Sequence, residues 1–455
     1  MKKIYFIVLL IASLVSSLRS QTWTAVGTTG FSNPVAGFTF TGFALDNNGV
    51  PYVAYPDNSN SGKMSVMMYN GSNWVNVGPA GFSAGNSYEC SIAFNAANEP
   101  YVAFGDAGNA SYATVMKYNG SNWVNVGNAG FSTGVVNDLT IKFASDDTPY
   151  VSYVDNAYSG KAVVKKFNGT NWVDVGTPGF TAGGTGQMKM ALNALNQPYI
   201  AYQDQANGFM ESCMMFNGTN WVHVGASTFS AGTVQYSHIT FDAAGTTPYI
   251  SYNTGSNPFA PNVQMYGSSG WNYVGSQNMN NDVDYQNNIA LDAGDVPFVI
   301  FPDGSYSGKA SVEYYTGGIY LYAGNMAFSI GQIMFPNIAI DSVNNIYAEY
   351  WDQGDANKIS VMKLGAITTS VETNSDGYTI RTFPNPCMNT VSIQLASTIS
   401  NADLKLFDVT GNVVMEKQNV SGKEFSLDIS NQTSGIYFVE ITNGNSVMRT
   451  RLIKN

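Results

Sequence analysis

Seven positions that recur along the chain hold mostly polar side chains, and each lies just before the first large apolar residue of a strand-like run. They are Gly42, Ser91, Thr140, Lys189, His238, Asn288 and Asn337. A few convergent polar groups in a concave surface are typical of ligand sites. Lys189 and His238 could orient an anionic or hydroxyl-rich ligand. We therefore take the last six of these positions as ligand-binding candidates, and the rim of a solvated channel is the structural alternative.

A second recurring set consists of aspartates, each two residues after the aromatic residue of another strand-like run. The six are Asp57, Asp106, Asp155, Asp204, Asp303 and Asp352, and Thr254 takes the place of a seventh. Such a ring of carboxylates could bind cations or sugar hydroxyls, and glycoside hydrolysis needs two of them on either side of one bond. Recurrence in six copies favours a structural task, because Asp accepts backbone N–H bonds in turns. We predict that this ring caps turns.

Other catalytic and metal signatures are missing from the sequence. The chain has two histidines, His223 and His238, and three cysteines without a CxxC spacing, so it has no zinc pattern. Only His238 could act as a base near the candidates, which leaves serine or cysteine hydrolysis unsupported. Residues 21–365 contain 10 Lys, no Arg and 23 acidic residues. This composition argues against nucleic-acid binding and against a sialidase. We expect no metal, no cofactor and no nucleic-acid partner.

Internal repeats supply the elements that position these residues. Tryptophans recur 49 to 51 residues apart, at Trp23, Trp74, Trp123, Trp172, Trp221 and Trp271, and Tyr320 continues the series. Each unit holds four strand-like runs, with Asn-Gly turns before several of the tryptophans. Low charge (11%), 46 Gly and 13% aromatic residues agree with short strands joined by tight turns. We predict an all-β chain in which residues 21–364 form a seven-bladed β-propeller of four-stranded antiparallel blades.

The two ends of the repeat array predict how the ring closes. The array begins with an outer-strand run at Trp23 and stops after a third-strand run at Leu364. The run from Trp23 to Val26 should therefore complete the seventh blade and leave no long free edge. Six recurrent phenylalanines are expected to pack between blades, with sugar stacking as the alternative. They are Phe31, Phe82, Phe131, Phe180, Phe229 and Phe328.

The N-terminus has the pattern of a signal peptide. Lys2 and Lys3 precede an apolar run over residues 4–15, and small residues follow up to Ser20. This run is shorter than the ~20 residues that span a bilayer, and no later stretch reaches that length. We predict a signal peptide over 1–20, export, and no transmembrane segment.

The repeat pattern ends after Leu364. Residues 365–377 are rich in Thr, Ser, Asn and Gly and predict a linker. New strand-like runs over 378–455 predict a small Ig-like β-sandwich.

Ordered motifs in this last segment carry a resemblance to a known family. They include Phe383, Pro384, Asn385, Pro386, Gly411, Gly435 and Tyr437. With the basic residues near its end, the segment resembles the type A sorting domain of the type IX secretion system. The resemblance implies the type IX machinery as a partner and passage across the outer membrane. It also implies a final location at the cell surface or in the medium.

Two hypotheses for function remain open. We favour a non-catalytic surface or secreted binding protein with a glycan or protein ligand, because the blades are nearly identical and no catalytic signature stands out. The alternative is a secreted glycan-active hydrolase or lyase that uses carboxylates on the propeller's loop face. The face that holds the second-to-third strand loops is the more variable one, and such loops commonly carry function.

Overall fold

A computed structural model describes residues 22–37, 39–255, 259–279, 286–316, 318–367, 380–383, 389–408, 412–433, 435–444 and 446–454. These residues form two compact units. The first unit holds seven four-stranded antiparallel sheets, and the second holds one five-stranded sheet. The predicted signal peptide (1–20) and most of the predicted linker (365–377) lie outside the described residues. Within the described ranges, no helix has the length and apolar character of a membrane span.

Each of the seven sheets is one blade, and its strands are given from the centre outward. Blades 1 to 4 comprise Gly42–Leu45, Pro51–Asp57, Lys63–Tyr69 and Trp74–Asn76; Ser87–Phe94, Pro100–Asp106, Tyr112–Tyr118 and Trp123–Asn125; Val136–Phe143, Pro149–Asp155, Lys161–Phe167 and Trp172–Asp174; Thr185–Leu192, Pro198–Asp204, Met210–Phe216 and Trp221–His223. Blades 5 to 7 comprise Val234–Phe241, Pro248–Thr254, Ala260–Gly267 and Gly270–Tyr273; Asn288–Leu291, Pro297–Asp303, Lys309–Thr316 and Ile319–Tyr322; Ile333–Ile340, Ile346–Asp352, Lys358–Leu364 and Thr24–Ala25. Six one-turn 3-10 helices follow second strands: Asn58–Asn60, Ala107–Asn109, Asn156–Tyr158, Gln205–Asn207, Gly304–Tyr306 and Gln353–Asp355. This architecture confirms the predicted all-β fold with seven blades.

Local sequence explains why each repeat folds as a blade. The second strand is almost wholly buried, as in Pro100–Asp106, and its β-branched and aromatic residues suit that position. Its proline stands at the first position, where a missing N–H disturbs the ladder least. In the turn between the third and fourth strands, the Asn70 side-chain oxygen accepts the N–H groups of Ser72 and Asn73 at 3.0 and 2.9 Å. Gly71 has φ of +92°, which only glycine adopts readily.

The perimeter of the propeller is held by one contact that repeats from blade to blade. Trp123 Nε1 donates to the Val77 carbonyl of the preceding blade at 2.7 Å, and its ring stacks on Phe82 with centroids 4.4 Å apart. The same bond and stack recur at Trp74, Trp172, Trp221 and Trp271. In blade 6 the Tyr320 hydroxyl donates to the Val274 carbonyl at 2.5 Å instead. The prediction that the recurrent phenylalanines pack between blades is confirmed.

The N-terminal strand closes the ring as predicted. Thr24–Ala25 pairs antiparallel with Lys358–Leu364 and becomes the outer strand of blade 7. Trp23 Nε1 donates to the Ala323 carbonyl at 2.8 Å and its ring stacks on Phe328. The innermost strands neighbour one another in order, and that of blade 7 neighbours that of blade 1. They therefore enclose a central channel.

The second unit is a single hydrogen-bonded sheet. Its strands are Ile380–Phe383, Thr390–Asp408, Val413–Asp428, Gly435–Asn443 and Ser446–Lys454. The two long strands pair along their length and contain several register shifts, which allow a sheet to bend. The N-terminal half of the first long strand pairs with the strand before it, and its C-terminal half pairs with the fourth strand. The apolar side chains of both halves form one core cluster, so this unit has a core of its own.

Candidate functional site

The six ring aspartates end second strands, and five of them cap the turns that follow through a side-chain hydrogen bond. Asp106 Oδ1 accepts the N–H of Gly108 at 3.0 Å and that of Gly85 at 2.9 Å, and its Oδ2 accepts from Asn109 at 2.7 Å. The bond to the N–H two residues later recurs at Asp57, Asp155, Asp204 and Asp352 but not at Asp303. All six side chains are at most 1% exposed. Among the described residues, no group of three or more His, Cys, Asp or Glu could hold a metal ion. The contacts of the ring are those that turn capping requires.

A cavity of about 320 Å³ lies in the channel between the innermost strands. All six ligand-binding candidates line it: Ser91, Thr140, Lys189, His238, Asn288 and Asn337. The regular repeat places one of these residues at the same register of successive innermost strands, so that they converge on the axis. The channel therefore brings together side chains that are 49 to 246 residues apart in the chain.

Three of the six candidates are engaged in bonds between blades. Ser91 Oγ accepts the N–H of Ile141 at 3.2 Å. Asn288 Nδ2 donates to Asn337 Oδ1 at 3.1 Å, and Asn337 Nδ2 donates to Glu349 Oε2 at 2.8 Å. These contacts give Ser91, Asn288 and Asn337 a structural task. Lys189 and His238 remain as candidates that line the cavity without such a bond among the described residues, and Thr140 lines it with its Oγ1 buried.

A belt of side chains lies next to the candidate layer, where the innermost strands of blades 2, 3, 4, 5 and 7 carry a bulge. The bulge residues have positive φ values between 50° and 57°: Glu89, Asp138, Gln187, Tyr236 and Phe335. A bulge frees a backbone N–H, and the preceding blade supplies the acceptor. Asp138 N–H donates to Glu89 Oε2 at 2.9 Å, and the Tyr236 and Phe335 N–H groups donate to Gln187 and Gln286 in the same way. Glu89 therefore ties two blades together.

Sequence reasoning missed a third basic residue in the cavity, Lys142. Two residues after the candidate position, five blades carry Ala, at Ala44, Ala93, Ala191, Ala290 and Ala339. Blade 3 has Lys142 at this position and blade 5 has Thr240, and both line the cavity. The sequence signal that could have found Lys142 is its departure from the alanine of the repeat, two residues after the candidate position. Functional residues commonly break a local rule in this way.

The basic groups of the cavity influence one another. They come from the innermost strands of three consecutive blades: Lys142, Lys189 and His238. Burial holds the pKa of His238 well below its usual value, and Lys189 and then Lys142 lower it further. Enclosure by the channel walls lowers the pKa of Lys142 even though the side chain is exposed at the opening, and Lys189 adds to the effect. His238 is therefore an uncharged imidazole at neutral pH, next to two ammonium groups.

Two carboxylates of the belt lie near Lys189. Burial and then Asp138 raise the pKa of Glu89 to about 7, and Lys189 opposes them. Burial raises the pKa of Asp138, against Lys189 and the N–H groups of Met188 and Gln187. Lys189 Nζ lies 4.8 Å from the centroid of the Phe40 ring, in a cation–π contact.

The cavity continues toward the face formed by the first-to-second strand turns. A depression of about 470 Å³ lies where the innermost strands of blades 3, 4 and 5 end. It shares Lys142, Ile239 and Thr240 with the cavity. Lys142 thus stands where the two spaces meet, and its side chain is exposed there.

Comparison with known families identifies the C-terminal segment. Residues 381–455 match the family model described as the secretion system C-terminal sorting domain. This match confirms the resemblance drawn from the motifs, and it implies export to the cell surface or the medium. Phe383, Gly435 and Tyr437 lie in described strands, and the Tyr437 hydroxyl donates to the Thr433 carbonyl at 2.7 Å. Pro384, Asn385, Pro386 and Gly411 lie outside the described residues.

Solved structures share the propeller fold at low sequence identity. A PL25 ulvan lyase, solved with -[GlcA(1-4)Rha3S]-, has a TM-score of 0.50 and 12% identity, covering 75% of this chain and 96% of that chain. The polysaccharide lyase Uly1 has a TM-score of 0.51 and 10% identity, covering 74% of this chain and 92% of that chain. The BP39L lectin from Burkholderia pseudomallei has a TM-score of 0.51 and 13% identity, covering 86% of this chain and 100% of that chain. No protein with a curated description matches the sequence. At these identities the likeness shows the fold.

Proposed function

We propose that this chain is an exported β-propeller that binds a glycan in its central cavity without chemically changing it. The observation that carries the proposal is the convergence of Lys142, Lys189, His238 and Thr140 on one concave space. At about 320 Å³ this space is at the lower end of the ~300–1,000 Å³ range of small-molecule sites. It has room for a sugar residue and none for a folded protein domain, which favours glycan over protein as the ligand.

The kinds of protein that share the fold support the same ligand class. The similar structures include a lectin and two polysaccharide lyases, so this fold accommodates glycan in several proteins. The sorting domain supports export, which would give the propeller access to glycans outside the cell. Hydrolysis by the ring aspartates has less support, because their oxygens already accept bonds from the turns that they cap.

A second candidate function is elimination from an acidic polysaccharide. It is favoured by the position of the His238 imidazole in one cavity with Lys142 and Lys189, where burial and these two charges lower the imidazole's pKa. In such a reaction a base removes the proton next to a uronate carboxylate, and nearby cations stabilise the charge that develops there. The glycosidic oxygen then leaves with the electron pair, takes up a proton, and leaves a double bond in the sugar.

A glycan-array screen of the full chain, followed by calorimetry, tests both candidates. We expect binding that is lost when Lys189→Ser and His238→Ser are combined, while the exposed pair Lys166→Ser and His223→Ser keeps full affinity. Full affinity in the first double variant would exclude the cavity as the site. Ultraviolet absorbance from unsaturated sugar ends would replace simple binding with elimination, and binding without that absorbance would support the binder.

Export can be tested separately from binding. We propose that residues 1–20 direct the chain across the inner membrane and that 378–455 engage the type IX machinery. Deletion of 378–455 should leave the propeller folded and retain it in the periplasm, as measured by cell fractionation. Normal surface delivery of the shortened chain would contradict this assignment.

A further inference from the structure

The three basic groups in the cavity form no ion pair with any acidic residue that the structure describes. Ion pairs among the described residues join Lys117 to Glu99, Lys165 to Asp174 and Lys405 to Glu416. None of these pairs involves Lys142 or Lys189. Glu89 and Asp138 act on Lys189 from the belt, but their oxygens accept the N–H groups of neighbouring blades. The ammonium groups therefore face the cavity with their charge only partly balanced.

Thr140 lines the cavity, but its hydroxyl does not open onto it. The residue is 5% exposed, and its Oγ1 is buried without a hydrogen-bond partner among the described residues. The Ser152 and Tyr153 hydroxyls are in the same state, so this feature alone does not indicate a ligand. Lys142 and Lys189 can donate into the cavity, and a protonated His238 could donate as well. This donor set is complementary to the oxygens of an anion.

The repulsion among the basic groups of the cavity also indicates which kind of ligand would bind there. Lys189 disfavours the charged forms of both Lys142 and His238. An anion placed between these groups would favour the charged form of each, and charge-assisted hydrogen bonds are about twice as strong as neutral ones. On a chain with a formal net charge of −11, this cavity is a local exception. At one position that lines the cavity, blade 3 has Lys142 where five other blades have alanine.

We propose that the cavity binds the anionic group of an acidic sugar residue, a carboxylate or a sulfate ester, between Lys142, Lys189 and His238. This inference rests on the proposed glycan binding and names its ligand class. The small volume and the opening beside Lys142 admit one residue at the end of a glycan chain rather than the middle of a folded polymer.

Calorimetry of the full chain with paired sugars tests this inference. The pairs are glucuronic acid with glucose, and galactose 6-sulfate with galactose, so that the two sources of the anion are separated. We expect the acidic member of at least one pair to bind about tenfold or more tightly than its neutral partner. Lys142→Ala and Lys142→Met should remove that preference. Lys166→Ala, which takes the same charge from an exposed site of the same blade, should keep it.

The outcomes separate this inference from the function on which it rests. Equal affinity for acidic and neutral sugars would overturn the anion site and leave glycan binding intact. Binding of inorganic sulfate with no binding of any sugar would overturn the proposed function and this assignment of the ligand. Loss of the preference in both Lys142 variants, with unchanged melting curves, would support the site.

A pH series adds a second readout. The groups that face one another here are Glu89, Asp138, Lys142, Lys189 and His238. As the pH falls through about 7, Glu89 takes up a proton and the cavity becomes more positive, so affinity for the acidic sugar should rise several-fold. Glu89→Gln retains an oxygen for the Asp138 N–H and should remove most of that rise. A pH-independent affinity for the acidic sugar would contradict the inference.

Discussion

At the perimeter of the propeller every blade contributes the same contact, whereas in the channel neighbouring blades contribute different side chains. Trp123 and its counterparts each donate to the preceding blade, and even blade 6 preserves the bond through the Tyr320 hydroxyl. One layer of the channel carries Ala in five blades and Lys142 in blade 3. Uniform contacts are what a closed ring needs for stability, and departures from uniformity are where a ligand site can form.

The closing seam between blades 7 and 1 shows both behaviours side by side. At the perimeter, Trp23 repeats the common bond across 300 residues of sequence. Near the channel, Thr41 Oγ1 donates to the fully buried Glu349, which no other blade has at that position. At the seam, the perimeter contact is therefore the one that the other blades make, whereas, among the described residues, the contact near the channel occurs in no other blade. The predictions below test whether stability follows the perimeter and specificity follows the channel.

The largest effect is expected at the perimeter. Trp123→Ala should lower the free energy of unfolding by about 3–5 kcal/mol, because it removes a buried ring, its stack on Phe82 and its bond to Val77. Trp123→Tyr imitates blade 6 and should lose less than half as much. Urea unfolding of the two variants measures this difference. A loss as small as that of a surface substitution would mean that the perimeter does not hold the ring together.

A pH-dependent effect is expected at the seam. Burial raises the pKa of Glu349 from 4.5 to about 7, so the folded protein binds this proton more tightly than the unfolded chain. The free energy of unfolding should fall as the pH rises from about 4.5 to about 7 and stay lower above that, by about 3 kcal/mol from this group. Glu349→Gln can keep the bonds to Thr41 and Asn337 and should flatten the curve. Glu89 and Glu313 have raised pKa values too, so some slope should persist.

A turn cap should have an intermediate effect. Asp106→Ala removes the acceptor for Gly85, Gly108 and Asn109, and a loss of about 1–2 kcal/mol is expected with sugar affinity unchanged. Asp174→Ala is the control, because it removes an exposed carboxylate that pairs only with Lys165. Thermal melts and calorimetry on both variants measure the two quantities. Weaker sugar binding in Asp106→Ala at full stability would move the site to the ring and revive the hydrolase hypothesis.

The sequence predicts the perimeter far better than the channel, for a physical reason. Spacing alone predicts seven blades and the closing strand, because each perimeter contact joins residues about one repeat apart and the closing contact joins the two ends of the array. The task of a channel residue depends on its partner in the next blade. Ser91 accepts the N–H of Ile141 and Asn288 donates to Asn337, and neither pairing follows from a repeat consensus. Lys142 was missed because the expectation covered one layer of the channel and the signal lay in the next.

The smallest effect on stability should come from the residue that matters most to the proposed site. Lys142→Ala restores the alanine of five other blades, and the lysine makes no ion pair among the described residues. The substitution removes a positive charge that Lys189 repels, from a side chain that is exposed at the opening, so the free energy of unfolding should stay within about 0.5 kcal/mol or rise slightly. Urea unfolding beside Lys166→Ala measures this, because both variants lose one positive charge. A loss of more than about 1 kcal/mol in Lys142→Ala alone would mean that the lysine supports the fold. The lysine at this position would then serve stability, and the proposed difference between a stabilising perimeter and a ligand-binding channel would not hold at Lys142.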